Sequence, residues 1–132
     1  MRSVTDGDTF RLTSGERIRL IGIDAPENEP WKNRVDFYGK EASDFTKKIL
    51  TGKKVLLESD MEPTDKYGRS LAYVWLENGE FINQTLVEEG YAKAKNYPPN
   101  DRYRALLKAA EKKARLLHRG MWSGLDNLPS KA

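Results

Sequence analysis

The strongest constraint in the chain is its opening: two stretches with strand periodicity, joined by a link that has room only for a turn. Residues 4–12 read as extended, interrupted by the turn-prone Asp6-Gly7-Asp8. Thr13-Ser14-Gly15-Glu16 is turn chemistry, and residues 17–23 alternate at first and become apolar toward their end. Together they predict a hairpin. Its loop decides how Asp8 and Arg19 meet. A two-residue loop at Ser14-Gly15 sets Asp8 opposite Ile21, with Arg19 one diagonal step away, whereas a loop at Thr13-Ser14 sets Asp8 opposite Arg19. A three-residue loop with a glycine bulge breaks that parity.

Pro26 and Pro30 forbid ladder pairing and mark an irregular loop after Asp24. Tyr38, Ala42, Phe45 and Ile49 then fall at helical spacing, so a helix is expected from about Lys40 to Gly52. Short strands follow at 54–57 and 71–76, the second entered through the turn Asp65-Lys66-Tyr67-Gly68-Arg69. A short helix is expected over 81–89, stopped by Gly90. Beyond Tyr97-Pro98-Pro99, Asn100 or Asp101 is expected to cap a long last helix whose buried stripe is Tyr103, Leu106, Leu107, Ala110, Ala114 and Leu117. Short strands followed by interleaved helices predict an α+β protein. A five-stranded OB-fold β-barrel with about three packed α-helices fits the count, although periodicity alone gives the class and not the barrel. The expected organisation is one domain over residues 1–132, with a tail from about 124.

There is no cysteine, which excludes disulfides and thiolate metal sites, and the single histidine, His118, excludes a His-rich zinc site. Any divalent metal must take oxygen ligands, which favours calcium, magnesium or manganese. Residues 93–119 hold nine basic side chains against Asp101 and Glu111, a local balance of +7 that leaves −4 for the rest of a chain of net charge +3. That polarity would draw a polyanion to one end of the molecule; it is equally the pattern of a solvated lysine-rich helix. No run is apolar enough to span a membrane, and no signal peptide precedes the first strand. The chain begins almost inside that strand, as expected where a leader or anchor has been trimmed.

Four carboxylates, Asp6, Asp8, Asp24 and Glu27, lie near the ends of the hairpin. Clustered acids repel unless a cation sits among them, yet Asp-Gly-Asp and Asp-Ala-Pro are also ordinary loop sequences. A calcium loop of the EF-hand type does not fit, because Arg17 stands where its twelfth-position glutamate belongs. Arg19 and Arg69 are either phosphate ligands, since guanidinium offers two parallel hydrogen bonds, or surface ion-pair partners. Tyr67 and Tyr97 sit in loops, suited either to stacking on bases or to covering the core. Asn83-Gln84-Thr85 matches a glycosylation acceptor but falls in an expected helix. His118 stands near the end of the last helix, where its charge suits the dipole.

In order along the chain, Asp6-Gly7-Asp8-Thr9, Arg19-Leu20-Ile21-Gly22-Ile23-Asp24-Ala25-Pro26-Glu27, Tyr38-Gly39-Lys40-Glu41-Ala42, Asp65-Lys66-Tyr67-Gly68-Arg69 with Leu71-Ala72-Tyr73, and Tyr97-Pro98-Pro99-Asn100 resemble the successive signatures of the staphylococcal nuclease (thermonuclease) family. The resemblance covers nearly the whole chain. It implies Ca²⁺ held by Asp8, Asp24 and the Ala25 main-chain carbonyl. Glu27 would be the general base, Arg19 and Arg69 the phosphate-binding arginines, and Lys66, Tyr67 and Tyr97 the groups on a terminal nucleotide phosphate. It implies a calcium-dependent endonuclease that hydrolyses DNA and RNA with little sequence specificity, breaks the 5′ P–O bond and leaves 3′-phosphates. Single-stranded or denatured DNA and RNA are the implied substrates, with a monomeric state and a secreted or cell-envelope location. Lys95 departs from the pattern, standing near the place of a second family tyrosine. Trp122 is expected to pack the tail onto the barrel, as the final aromatic does in the family. Nuclease-like barrels can also bind nucleic acid or protein without cutting, and a third reading is a structural domain that needs calcium for folding instead of turnover. Such non-catalytic modules are marked by loss of the carboxylates and arginines that this chain retains.

Overall fold

Gly7 and Asp8 turn the chain between strand β1 (Ser3–Asp6) and strand β2 (Thr9–Arg11), and β3 (Arg17–Leu20) returns antiparallel to β2. The computed structural model from which this description is drawn covers residues 1, 3–29, 34–35 and 37–127. Leu12 and Glu16 close a three-residue loop, with the Leu12 N–H on the Glu16 carbonyl at 2.9 Å and Gly15 at φ 94°, where a side chain would be strained. Of the three registers open to the sequence, the hairpin adopts the bulged one: Thr9 faces Arg19, Phe10 faces Ile18 and Arg11 faces Arg17.

After β4 (Ile23–Asp24), β5 (Asn28–Glu29) and β6 (Arg34–Val35), helix α1 (Gly39–Leu50) leads to β7 (Val55–Glu58) and β8 (Ser70–Leu76). β8 runs parallel to β3 and antiparallel to β7, completing a mixed five-stranded sheet in the order β1-β2-β3-β8-β7. Helix α2 (Ile82–Glu88), strand β9 (Lys93–Ala94), helix α3 (Arg104–Leu116) and a 3-10 segment (Gly120–Asn127) follow. β9 pairs with β4, and β5 with β6. The expected α+β class and three helices are present. Among the described residues no pairing joins the outer strands β1 and β7. Pro30 and residues 128–132 of the expected tail lie outside the described residues, and no helix among those described is long and apolar enough to cross a membrane.

The core lies between the sheet and the helices. Phe10, Ile18 and Leu20 come from the hairpin, Val74 from β8, Leu86 from α2 and Leu107 from α3, all essentially inaccessible. Each such side chain contributes about 1.5–3 kcal/mol through burial. Asn83, on α2 and fully buried, accepts from the Val74 N–H at 2.9 Å and donates to the Ile21 carbonyl at 2.8 Å. Its side chain is thus an internal brace between α2, β8 and the end of the hairpin, closed to glycosylation in the folded chain.

Two helix faces differ from the expected stripes. α1 turns Ala42, Ser43, Thr46 and Leu50 inward and leaves Phe45 and Ile49 only half-buried. The cause is close approach: the Thr46 hydroxyl donates to the Gly7 carbonyl at 2.6 Å, and a Cβ on Gly7 would lie 2.9 Å from the Cβ atoms of both Ala25 and Ala42. Only small side chains fit that seam. On α3, Leu107, Ala110 and Ala114 are buried, whereas Leu106 is 41% and Leu117 53% exposed. Neither Asn100 nor Asp101 caps α3, which starts after Tyr103 without a side-chain cap. Asn100 is instead buried and holds both backbone groups of Glu62, the N–H at 2.7 Å and the carbonyl at 2.8 Å.

Candidate active site at the first hairpin

Asp8 is a turn residue, and its side chain is not bound to the alternation of β2. Its Oδ2 accepts the Ala25 N–H at 2.7 Å and its Oδ1 the Thr9 hydroxyl at 3.0 Å. Asp6 accepts the Asn28 N–H at 2.7 Å. The two acids of Asp-Gly-Asp therefore bind the backbone of the loop that carries Ala25, Pro26 and Glu27. Arg19, on β3, is only 5% exposed. Its Nη1 donates to the Leu20 carbonyl at 2.6 Å, and its Nη2 lies 3.4 Å from Asp8 Oδ2 and 3.8 Å from Asp24 Oδ1. Such buried charges are tolerable only because they compensate one another. Asp24, at the end of β4, keeps about half of its side chain in solvent. Tyr97 lies against the same group, its ring centre 5.4 Å from the Arg19 guanidinium carbon and 6.0 Å from the Lys95 ammonium.

Beside this cluster opens a cleft of about 510 Å³, lined by Asp24, Ala25, Pro26, Glu27, Phe37, Lys93 and Met121. Glu27 is half-buried, and its position is set from behind by Gly39: a Cβ there would stand 2.0 Å from the Glu27 carbonyl oxygen. Tyr38, at φ 69°, delivers Gly39 into that contact. Met121 is held by its N–H on the Gly90 carbonyl at 2.9 Å, where Gly90 and Gly120 pass so closely that a Cβ on Gly90 would meet the Arg119 carbonyl oxygen at 2.2 Å.

Lys66, Tyr67 and Arg69 form a second group, on the turn before β8. Asp65 organises it, accepting the backbone N–H groups of Tyr67 and Arg69, each at 2.9 Å, and Arg69 Nε at 2.7 Å. Burial pushes the Asp65 carboxyl up, but these hydrogen bonds and the Arg69 charge outweigh it and hold the group below the usual carboxylate range. The Arg69 guanidinium lies 5.5 Å and the Lys66 ammonium 5.3 Å from the centre of the Tyr67 ring, which is 62% exposed. Arg17 donates to the Tyr67 carbonyl and ties the turn to β3. The structure thus gathers Asp8, Asp24, Ala25, Arg19 and Tyr97 at one point, puts Glu27 in the adjoining cleft, and fastens Arg69 to its own turn through Asp65.

Sequence reasoning passed over Phe37, Lys93 and Met121 as cleft residues. Lys93 could have been found from the charge count; Phe37 and Met121 carry no local signal. Trp122, expected to pack the tail back, lies against two cations, with Arg115 4.7 Å and Lys93 5.8 Å from its ring.

The fold and the site define a class: a small α+β protein whose first hairpin buries an acid–guanidinium cluster beside an open cleft. The family pattern described as "Staphylococcal nuclease homologue" matches residues 17–124. The thermonuclease of Staphylococcus intermedius is 50% identical over 92% of this chain and 74% of its own length, and that of Staphylococcus hyicus 46% identical over 91% and 72%. An SPbeta prophage-derived endonuclease, YokF of Bacillus subtilis (strain 168), is 37% identical over 89% of this chain and 41% of its own. The chain belongs to the staphylococcal nuclease family.

Proposed function

We propose that this protein is a calcium-dependent phosphodiesterase that hydrolyses DNA and RNA with little sequence specificity, breaking the 5′ P–O bond and leaving 3′-phosphates. The observation that carries the reading is Arg19 held against both Asp8 and Asp24, the second of which lines the same cleft as Glu27. Kinship with two thermonucleases supports it. The reading includes closure of the five strands into an OB-fold barrel and a single domain over residues 1–132, with a tail from about 124.

The donor chemistry fits a hard cation. Asp8 has lone pairs beyond those taken by Ala25 and Thr9, Asp24 is half in solvent, and the Ala25 N–H on Asp8 keeps that residue, whose carbonyl would be the third donor, beside the two acids. Among the described residues no cluster of three acids, histidines or cysteines could hold a metal, so water would complete the shell, which calcium's flexible coordination allows. When bound, the ion supplies polarisation of a phosphoryl oxygen. Glu27 takes a proton from the water that attacks phosphorus in line; as the new P–O bond forms the 5′ P–O bond breaks, and the 5′-oxygen leaves with its electron pair and takes a proton from solvent. Arg19 and Arg69 donate to the non-bridging oxygens as charge grows there, Arg69 with its Nη groups, since its Nε is engaged by Asp65. Lys66, Tyr67 and Tyr97 hold a terminal phosphate. Loose base preference follows, because these groups address phosphate and stack, and none reads a base edge.

The test is cleavage of single-stranded DNA with calcium or with EDTA, alongside Asp24→Asn. Wild type should cut only with calcium, and Asp24→Asn should lose on the order of 10²-fold or more in rate. Equal cleavage in EDTA, or none in either, would reject the proposal; the latter would favour a binding module.

A further inference from the structure

Phe37 is 74% exposed at the rim of the cleft, where its ring is open to a ligand. It is not loosely attached. Its ring centre is 5.7 Å from Tyr38, Tyr38 is 5.6 Å from Tyr91, and Tyr91 stacks on Phe45 of α1 at 4.1 Å with an interplanar angle of 13°. Phe37 is thus the outer member of a run of four rings anchored in the body of the protein. Two residues on, Gly39 presses on the Glu27 carbonyl. One backbone segment therefore sets both the exposed ring and the acid across from it. The remaining wall is Met121 and Lys93, the latter paired through its backbone with Asp24.

An exposed aromatic face, a thioether and an ammonium beside a carboxylate pair are the components of a nucleotide site: a ring and a soft side chain for the base, a cation for the phosphate. Positive charge continues outward. Lys93 and Arg115 share the Trp122 ring, and Arg115 with Lys108 and Lys112 lines a second cleft of about 470 Å³ on α3. We propose that Phe37, Met121 and Lys93 form a nucleotide subsite next to the scissile phosphate. Phe37 stacks on a base, Lys93 takes the adjoining phosphate, and the strand continues over the basic face of α3. The subsite is separate from the groups on Lys66, Tyr67 and Tyr97, and it rests on the nuclease reading above.

The experiment is steady-state cleavage, with calcium, of single-stranded oligonucleotides in which one abasic residue is moved stepwise past the cut. Wild type, Phe37→Ala and Phe37→Trp are compared, with circular dichroism to check folding. Losing one base–ring stack should raise KM about tenfold for Phe37→Ala, and Phe37→Trp should restore it. In wild type, an abasic residue at one position beside the cut should cost a similar factor; in Phe37→Ala it should cost nothing more. Lys93→Gln should raise KM at low salt and match wild type at high salt. If wild type cleaves and Phe37→Ala has the same KM, or keeps the full abasic penalty, the subsite is wrong while the nuclease reading stands. If wild type does not cleave, both fall.

Discussion

Asp60 shows how far one side chain can tie acid stability to the fold. Burial pushes its carboxyl up, but donation from the Tyr73 hydroxyl at 2.6 Å, from the Arg102 and Met61 N–H groups, and the Arg102 charge together hold it below the ordinary range. Tyr73 is raised in turn, by burial first and then by Asp60. A carboxyl depressed in the folded chain contributes stability above the unfolded value, about pH 4, and loses it as pH falls toward the lower folded value. Asp60→Asn should therefore flatten the dependence of unfolding free energy on pH below about 4, read by urea denaturation at several pH values. An unchanged slope would remove Asp60 from the account. At this scale the sequence was legible where charge announces itself: Asp8, Asp24 and Arg19 stood out as charges at the ends of one hairpin. It was silent where the same residue type serves as a brace. Asn83 and Asn100 read as a helix residue and a cap, yet each spends its amide on backbone that local sequence does not reveal.

Among elements, α3 is where periodicity and packing part. The 3.6-residue pattern admits a stripe through Leu106, Leu107 and Leu117, but the helix docks by Leu107 over Gly22, where a Cβ would lie 2.6 Å from Leu107 Cδ1. Leu107→Ala should cost about 2–5 kcal/mol, whereas Leu106→Ala and Leu117→Ala should each cost well under about 1 kcal/mol, measured by denaturant titration. Similar losses at all three would restore the wider stripe. On α1 the spacing found Ala42, Phe45 and Ile49, all of which pack on the core, but not the buried Ser43 and Thr46: apolar periodicity marks large side chains, while the Gly7–Ala42 seam selects small ones. The hairpin was legible as an element but not in register, because loop length is settled by the left-handed geometry at Gly15 and not by strand pattern.

Over the whole molecule, the positive charge of residues 93–119 lies partly on β9 and α3, where Lys93, Lys108, Lys112 and Arg115 are exposed. Affinity for single-stranded DNA should fall with added salt by about 0.7 in log K per log unit for each phosphate neutralised. Lys108→Gln combined with Lys112→Gln should shallow that slope by about 1.4 if both meet phosphate. Titrations at several salt concentrations check this, and a slope that does not change would make α3 a merely hydrated face. The α+β class was readable from the order of strand-like and helix-like segments. The parallel β3–β8 pairing was not, since it joins segments that only the folded chain brings together. The crossing of Gly90 and Gly120 carries a last consequence. Met121 reaches the cleft only because two glycine backbones pass without side chains between them, so the far wall of the cleft belongs to the end of the chain and not to the sheet. Cutting the backbone after Arg119 should therefore detach Met121 from the cleft without touching any strand of the sheet.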